Sequence, residues 1–223
     1  MLTLVERGPS EDLPFFIELL DILHDAGLPV PYALRTDSNE ALRSLAGKPA
    51  LLQPRLSGKH VRDVNAQHCH AVGELLARIH LATRDHPLQR KSDRGLEWML
   101  REGKVLATHQ TPDATQLLND TLAEIAALQE QVRKLPRANL HADLFRDNCM
   151  FEGTHLSGVI DFYNACSGPM LYDLAITVND WCSDEGGHLD EGRARALLGA
   201  YAALRPFTAA EAELWPALSL IHI

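Results

Sequence analysis

Four polar residues between positions 141 and 161 have types and spacing that suit chemistry on a substrate. His141, Asp143 and Asn148 lie in one short segment, HADLFRDN, and Asp161 follows thirteen residues after Asn148. A carboxylate such as that of Asp143 can accept the proton of a hydroxyl group, and amide and carboxylate oxygens are ligands that Mg²⁺ prefers. The four residues therefore indicate proton transfer beside a magnesium ion.

The first three residues fit H-x-D-x-x-x-x-N, the catalytic-loop spacing of protein-kinase-like phosphotransferases. In that framework Asp143 accepts the proton of the substrate hydroxyl and aligns it with the γ-phosphate, while Asn148 and Asp161 bind Mg²⁺. The spacing of the two ligands suits a hairpin, because residues 149–151 and 156–160 are β-like. Such a hairpin would return Asp161 to a position beside Asn148.

Simpler explanations exist for parts of this pattern. A lone H-x-D is common, and Asp143 or Asp147 could cap a helix or belong to a turn. A metallohydrolase built on His141 and Asp143 is another alternative, but it needs further His ligands, and the segment offers only His155. The complete set favours the phosphotransferase, because His, Asp and Asn stand in register before a predicted strand pair that leads to Asp161.

Composition and charge restrict the class of protein. The chain has 223 residues, 46% of them hydrophobic, and a formal net charge of −9. No basic block could follow a nucleic-acid backbone, so we expect no nucleic-acid partner, although local donors and a bound cation still allow ATP. The four cysteines are widely separated, and no stretch approaches the ~18 apolar residues of a membrane span. We expect a cytoplasmic protein with reduced thiols and no membrane partner.

The first 57 residues predict a small α+β unit. Gly8 and Pro9 break an alternating strand pattern, and Ser10 is placed to cap the helix that follows. That helix should end at Gly27, because prolines follow it. The expected elements are a strand at residues 2–6, a helix from Ser10 to Gly27, and extended segments at 32–36 and 49–53.

Helices are expected to predominate from residue 58 onward. Apolar residues at helical spacing mark two faces, and further helices are expected near Leu171 and Glu191. The first face consists of Val72, Leu75, Leu76 and Ile79 in a helix over 66–82, and the second of Leu117, Leu118, Leu122, Ile125 and Leu128. The short segment 54–58 then separates a partial N-terminal lobe with its hinge, residues 1–57, from a catalytic lobe, residues 58–217.

Residues 140–148 and 158–163 (GVIDFY) look like the catalytic and metal-binding motifs of the aminoglycoside-phosphotransferase and choline-kinase superfamily. Together with YDLAITVNDWC and RPFTAAE, they resemble the phosphotransferase-like homoserine kinases of bacteria over residues 2–216. The resemblance implies an α+β, two-lobed, protein-kinase-like fold that uses ATP and Mg²⁺. It also implies phosphorylation of L-homoserine to O-phospho-L-homoserine, a step of threonine biosynthesis.

The resemblance assigns a role to each position of the motif. Asp143 matches the catalytic base. His141 matches a residue that braces the loop, and we group it with Asp143 as a predicted catalytic residue. Asn148 and Asp161 match the magnesium ligands. Asp173, in the segment YDLA, matches an Asp that holds the backbone of the catalytic loop, so we expect it to give structural support.

Two further groups are expected to bind ligands. The hinge between the lobes should contact adenine through backbone groups, and its candidates are Gln53, Arg55 and Leu56. A stretch typical of the homoserine-kinase-like members supplies the candidates for facing the substrate, which are Asn179, Asp180 and Trp181. An N-cap and a buried aromatic ring would explain the second group equally well.

The two ends of the chain depart from the superfamily pattern. Thr3 stands where many kinases carry a Lys for the phosphates, and no Gly-rich loop precedes it. Residues 218–223 match one reading frame of a sequencing adapter, so we expect an artefactual tail on a fragment truncated at both ends, with an exposed strand edge and low stability. The alternatives are another small-alcohol kinase, of methylthioribose, choline or aminoglycoside type, or a non-catalytic pseudokinase-like binding module. The oligomeric state is left open.

Overall fold

The computed structural model describes residues 1–6, 10–85, 87–184 and 186–221, and it has a small lobe and a larger, mainly helical lobe. The elements in chain order are β1 (Leu2–Leu4), α1 (Leu13–Asp25), β2 (Leu42–Leu45), β3 (Lys48–Leu52), α2 (Ala66–Thr83), α3 (Leu96–Ala107), α4 (Pro112–Arg133), β4 (Arg137–Leu140), β5 (Cys149–Glu152), β6 (His155–Val159), β7 (Cys166–Pro169), α5 (Met170–Trp181), α6 (Glu191–Leu204) and α7 (Ala209–Ile221). Gly8 and Pro9, predicted to break the first strand, lie outside the described residues. The α+β, two-lobed fold expected from the sequence is confirmed.

The small lobe contains an antiparallel sheet in the order β1-β3-β2. Ala46 and Gly47 both have positive φ angles, 52° and 75°, so they make the tight turn that joins β2 to β3. The segment 32–36, expected to be extended, forms no regular strand, although the Leu34 N–H donates to the Leu52 carbonyl at 2.8 Å. Strand β2 was not predicted, because its four residues are all exposed and show no alternation.

Helix α1 begins later than predicted. Residues 10–12 form a short 3₁₀ turn, and the α-helix starts at Leu13 with Pro14 in its first turn, where its missing N–H is tolerated. Ser10 therefore does not cap the α-helix. The predicted end is confirmed, because the helix stops at Asp25 and Gly27 follows with φ = 74°.

Helix α2 forms the centre of the large lobe. Asn65 caps it by accepting hydrogen bonds from the backbone N–H groups of Gln67 and His68, and the His68 ring accepts in return from the Asn65 N–H. The predicted apolar face of this helix is confirmed, since all four of its residues are buried. The face predicted on α4 is confirmed at Leu122 and Ile125, but Leu117 is 70% exposed, one turn before that buried stripe begins.

One hydrophobic core joins both lobes. Leu23 of α1, Leu76 of α2, Trp181 of α5 and Leu218 of α7 are all fully buried in it, so it crosses the boundary expected near residue 57. The expected tail also begins inside this core, because α7 continues without a break through Leu218, while residues 222 and 223 lie outside the described residues. Within the described part of the chain, no helix has the length and apolar character needed to cross a membrane.

Candidate active site

A buried carboxylate holds the loop that begins at His141. Asp173 in α5 is fully buried and accepts hydrogen bonds from the backbone N–H groups of His141 and Ala142, at 2.9 and 2.8 Å. Ala142 has φ = 61°, a left-handed conformation that is unfavourable for a residue with a Cβ, and the two bonds help to hold it. The structure thus places Asp173 on the backbone of the predicted catalytic loop.

A buried polar chain extends from Asp173 into the core. The Nε2 atom of His80 lies 3.0 Å from Asp173 Oδ2, and the His80 Nδ1 atom lies 2.8 Å from the Tyr201 hydroxyl. Burial alone would raise the pKa of Asp173, but the hydrogen bonds from His80 and from the loop backbone outweigh it and lower the pKa below its usual value. Asp173 is therefore a stable anion that accepts three hydrogen bonds, from His80 and from the backbone N–H groups of His141 and Ala142.

His141 lies beneath the loop and does not line the cleft. Its side chain is fully buried, and Nε2 donates to the carbonyl of Ile160 at 3.0 Å, directly before Asp161. Burial lowers its pKa, and the buried Nδ1 has no acceptor among the described residues, so the ring is held neutral. Its place in the catalytic group is corrected: an inaccessible ring can position the site but cannot touch a substrate.

One hairpin brings Asn148 and Asp161 together. Strands β5 and β6 pair from Cys149 opposite Val159, and the Ile160 N–H donates to the Asn148 carbonyl at 3.0 Å. The Asn148 side chain donates from Nδ2 to the Asp143 carbonyl at 2.7 Å, so its amide oxygen is not used by that bond. Asp161 follows in a left-handed conformation, φ = 64° and ψ = 59°, with an exposed side chain.

Asp143 has a side-chain partner that the sequence analysis missed. Asn164 donates from Nδ2 to Asp143 Oδ2 at 2.9 Å, from a short 3₁₀ turn over residues 162–164. Because the turn begins directly after Asp161, the three residues Asp143, Asp161 and Asn164 are linked through one compact segment. The signal was present in the run DFYN, but its last residue has no fixed place in the H-x-D-x-x-x-x-N pattern.

The donor set suits a small hard cation. Asn148 and Asp161 offer amide and carboxylate oxygens, which bind Mg²⁺ well, and phosphate oxygens commonly complete such a site. Within the described residues there is no group of three or more His, Cys, Asp or Glu side chains that could enclose a metal ion. Two protein ligands fit a cation that is shared with a phosphate-bearing substrate.

A cavity of about 260 Å³ lies between the small sheet and the segment 160–163. Its lining is mostly apolar, with Leu51 and Phe162 on opposite sides and Asp161 at its border. Gln53 also borders it, but the backbone N–H and C=O of Gln53 are both bonded to Met1, at 2.9 and 2.5 Å. Both backbone polar groups of Gln53 therefore already have a partner in the protein, and its contact with adenine stays a prediction.

The other two hinge candidates remain accessible. Arg55 is exposed, and Leu56 is half-buried with its side chain close to the Cα of Gly158, where an added Cβ would lie 2.9 Å from Leu56 atoms. The segment after them is fixed to the large lobe, because Lys59 and Phe151 exchange two backbone hydrogen bonds of 3.0 and 2.9 Å. Arg55 and Leu56 thus lie between the sheet and the metal-ligand hairpin.

Of the three substrate candidates in α5, Trp181 is corrected because its side chain is inaccessible, while Asn179 and Asp180 are half-buried and bonded to other parts of the protein. Trp181 is fully buried and donates from Nε1 to the Leu144 carbonyl at 2.9 Å. The side chain of Asn179 donates to the Ser219 carbonyl at 2.7 Å. Asp180 accepts from the Arg146 N–H at 2.8 Å, so all three stabilise the loop or the helix packing.

Comparison with known proteins agrees with this geometry. A model of the phosphotransferase enzyme family matches residues 1–207. Homoserine kinase of Pseudomonas aeruginosa (strain LESB58) is 67% identical over 98% of this chain and 69% of its own length. Homoserine kinase of Methylobacillus flagellatus is 40% identical over 98% of this chain and 68% of its own length.

Solved structures show the same fold. The amicoumacin kinase hAmiN, in complex with AMP-PNP, Ca²⁺ and Ami, superimposes with a TM-score of 0.72 at 16% identity, over 99% of this chain and 70% of its own. An aminoglycoside phosphotransferase from Alicyclobacillus acidocaldarius gives 0.71 at 20% identity, over 97% and 71%. The matched family model, the close relatives and the shared two-lobed fold agree: this chain belongs to the phosphotransferase enzyme family.

Proposed function

We propose that this chain transfers the γ-phosphate of ATP to the hydroxyl of L-homoserine, giving O-phospho-L-homoserine and ADP, as a cytoplasmic step of threonine biosynthesis. The observation that carries the proposal is the proximity of three residues: the Asn148 amide donates to the Asp143 carbonyl, and the β5–β6 hairpin returns the chain to Asp161 beside Asn148. The named activity of the Pseudomonas relative supports homoserine as the acceptor. The fold by itself would leave the acceptor open.

Asp143 is the group we assign to the substrate hydroxyl. Its Oδ2 is occupied by the Asn164 amide, so the carboxylate is held in one orientation, and Oδ1 stays available to accept the proton. The reacting hydroxyl oxygen then forms its bond to the γ-phosphorus as the bond to the leaving ADP oxygen breaks. Aligning these atoms accounts for most of the catalysis in this class of reaction.

Asn148 and Asp161 are the residues we assign to Mg²⁺, which when bound neutralises charge on the phosphates. His141 and Asp173 support the site, because His141 holds the Ile160 carbonyl directly before Asp161 and Asp173 holds the loop backbone directly before Asp143. Arg55 and Leu56 remain our candidates for contact with adenine. The largely apolar cavity beside Asp161 suits the flat base of a nucleotide.

The direct test is formation of a phosphomonoester by the purified chain with ATP, Mg²⁺ and L-homoserine, followed by phosphorus NMR and mass spectrometry. We expect O-phospho-L-homoserine, and we expect Asp143→Asn to lower kcat by about 10²- to 10⁴-fold because the proton acceptor is lost. Asp120→Asn on the outer surface of α4 makes the same chemical change and should leave turnover unaltered.

Two results would count against the proposal. If the chain phosphorylates choline, methylthioribose or an aminoglycoside but not homoserine, the acceptor is wrong. If nucleotide binds and no alcohol is phosphorylated, the chain is a binding module. Circular dichroism on Asp143→Asn distinguishes loss of the reacting group from loss of folding.

A further inference from the structure

A second, smaller cavity lies beside Asp143, on the side away from the hairpin. Its volume is about 40 Å³, roughly the space of three ordered waters, so it suits a short aliphatic chain better than a sugar ring. Asp143 and Asn164 border it on one side, and the loop segment Ser92–Arg94 borders it on the other. Nothing in the sequence indicated that this loop lies beside Asp143.

The loop that carries Ser92–Arg94 is fixed to the catalytic lobe at several points. The fully buried side chain of Asn139 accepts from the Leu88 N–H at 2.8 Å and donates to the Leu88 carbonyl at 2.7 Å. The Ser167 N–H donates to the Arg90 carbonyl at 2.8 Å. A loop without regular secondary structure is therefore held in one position before any ligand arrives, which reduces the cost of binding.

Arg90 compensates the negative charge of this loop. Its guanidinium bonds Asp12 at 2.8 Å, the Ala165 carbonyl at 2.9 Å and Asp93 at 2.5 Å, and it lies over the ring of Phe16. Asp93 thus has a strong cationic partner, although it borders the cavity. Its charge is not left for a ligand cation to neutralise.

The charge of Arg94, in contrast to that of Asp93, is not paired with an opposite charge among the described residues. Its backbone is fixed, because the N–H donates to Ser92 Oγ at 3.2 Å and the carbonyl accepts from the Tyr172 hydroxyl at 3.1 Å. Its side chain is exposed, and within the described residues it forms no ion pair and no side-chain hydrogen bond. Of the described residues that border the cavity, Arg94 alone carries a positive charge.

We propose, on the basis of the proposed function, that this cavity binds the non-reacting end of the acceptor and that Arg94 binds its carboxylate. A guanidinium matches a carboxylate in a paired hydrogen-bond geometry, and a ligand that places its hydroxyl at Asp143 extends from there past Asn164 to Arg94. The acceptor class is therefore a short hydroxylated carboxylic acid. Choline and aminoglycosides carry positive charge, which Arg94 disfavours.

The test compares three acceptors that differ by one charged group. L-homoserine has both groups, 4-hydroxybutyrate lacks the ammonium, and 3-amino-1-propanol lacks the carboxylate. We expect Arg94→Met to lower kcat/KM for homoserine and 4-hydroxybutyrate by about 10- to 100-fold, mainly through KM, and to leave that for 3-amino-1-propanol within about twofold. Arg94→Lys should recover part of the loss for the two carboxylates.

The matched control is Arg101→Met on α3, whose exposed side chain pairs with Glu102 and should alter none of the three acceptors. An equal loss for all three acceptors with Arg94→Met, or no loss for homoserine, overturns the assignment of Arg94 while the proposed function stands. Absence of homoserine turnover and of calorimetric homoserine binding in the unmodified chain overturns the proposed function, and this inference with it.

Discussion

His141 shows at the scale of single residues how burial selects one protonation state. Nε2 carries the proton that is donated to Ile160, and protonation of Nδ1 would place an N–H in a buried position without an acceptor among the described residues. The pKa of His141 is therefore lowered in the folded state, while in the unfolded chain it is near the ordinary value of about 6.5.

This difference predicts a pH dependence of stability. Between the two pKa values the unfolded chain binds more protons, so the free energy of unfolding falls as pH drops below about 6.5, by up to about 1.4 kcal/mol per pH unit from His141. We expect His141→Gln to remove this part of the decline. Urea denaturation at about pH 7.5 and about pH 5.5, on either side of the ordinary His pKa, measures it.

The control for this prediction is His109→Gln, which changes an exposed histidine on the surface. It should keep the decline of the unmodified chain. If His141→Gln shows the same decline as His109→Gln, the buried ring is not the group that titrates.

Sequence spacing located Asp143, Asn148 and Asp161 because their separation is fixed by a loop and a short hairpin, which are local structures. Asn164 and Arg94 were missed, because their proximity to Asp143 depends on contacts between segments 21 and 49 residues apart. Trp181 was misplaced for a different physical reason: a polar N–H on a large apolar ring can serve a buried hydrogen bond as well as a ligand.

At the scale of elements, the packing of α2 on α6 depends on one glycine. Gly73 faces the backbone of α6, and a Cβ at this position would lie 2.2 Å from the Leu197 carbonyl oxygen. Real Cβ atoms cannot approach a backbone oxygen so closely, so the two helices would have to move apart. The close approach matters because α2 carries His80 to Asp173.

We expect Gly73→Ala to lower the free energy of unfolding by about 1–3 kcal/mol, because the added methyl group overpacks the contact. Gly199→Ala in α6 makes the same change where nothing lies within 4 Å, and it should raise stability by about 0.4–1 kcal/mol. Urea denaturation of both variants measures the two changes in the free energy of unfolding. Equal effects would mean that the crossing adapts without strain.

Periodicity predicted α2 because it buries one face, and the β5–β6 hairpin was predicted from two glycines, Gly153 and Gly158, that interrupt short β-like runs. Periodicity failed for β2, whose residues are all exposed, and for the start of α1, where a 3₁₀ turn precedes the helix. Where a segment is exposed to solvent, no face has to be apolar in a strand or in a helix. The hydrophobic pattern therefore cannot distinguish the two there.

At the scale of the whole molecule, the small sheet exposes leucines. Leu2 and Leu52 face each other across β1 and β3 and are 56% and 50% exposed, and Leu4 is 42% exposed. Neighbouring apolar side chains on a sheet with open edge strands favour association with another copy. We therefore expect concentration-dependent self-association in solution.

Replacing Leu2 and Leu52 by Thr should weaken this association by about tenfold or more, because two apolar contacts are lost while strand propensity is kept. Sedimentation velocity over a concentration series measures it. The control is Leu117→Thr, an isolated leucine on α4 that is 70% exposed. A double variant that associates as strongly as this control would show that the sheet face is not the contact.

The two-lobed fold could be predicted from the order of elements. That side chains of both lobes belong to one hydrophobic core could not be predicted in this way. We propose a boundary between residues 57 and 58 for the chain path, whereas the predicted end of the large lobe at residue 217 falls inside α7, whose Leu218 is part of the core. By packing, however, α1 belongs with the large lobe: Leu13, Leu19 and Leu23 are buried in the core that contains α2 and α5. Sequence order shows where a lobe begins along the chain and not which side chains share its interior.

The two backbone hydrogen bonds between Lys59 and Phe151 have a mechanical consequence. They fix the chain to β5, the strand that directly follows Asn148, and the Ser157 hydroxyl of β6 also donates to the Ser57 carbonyl at 2.8 Å. Rotation of the small sheet relative to the hairpin would therefore be taken up before residue 57, in residues 53–56. The pivot therefore ends at the hairpin that carries the metal-ligand candidates. Opening and closing of the sheet would leave the spacing of Asn148 and Asp161 unchanged, because both residues flank the hairpin on the large-lobe side of this pivot.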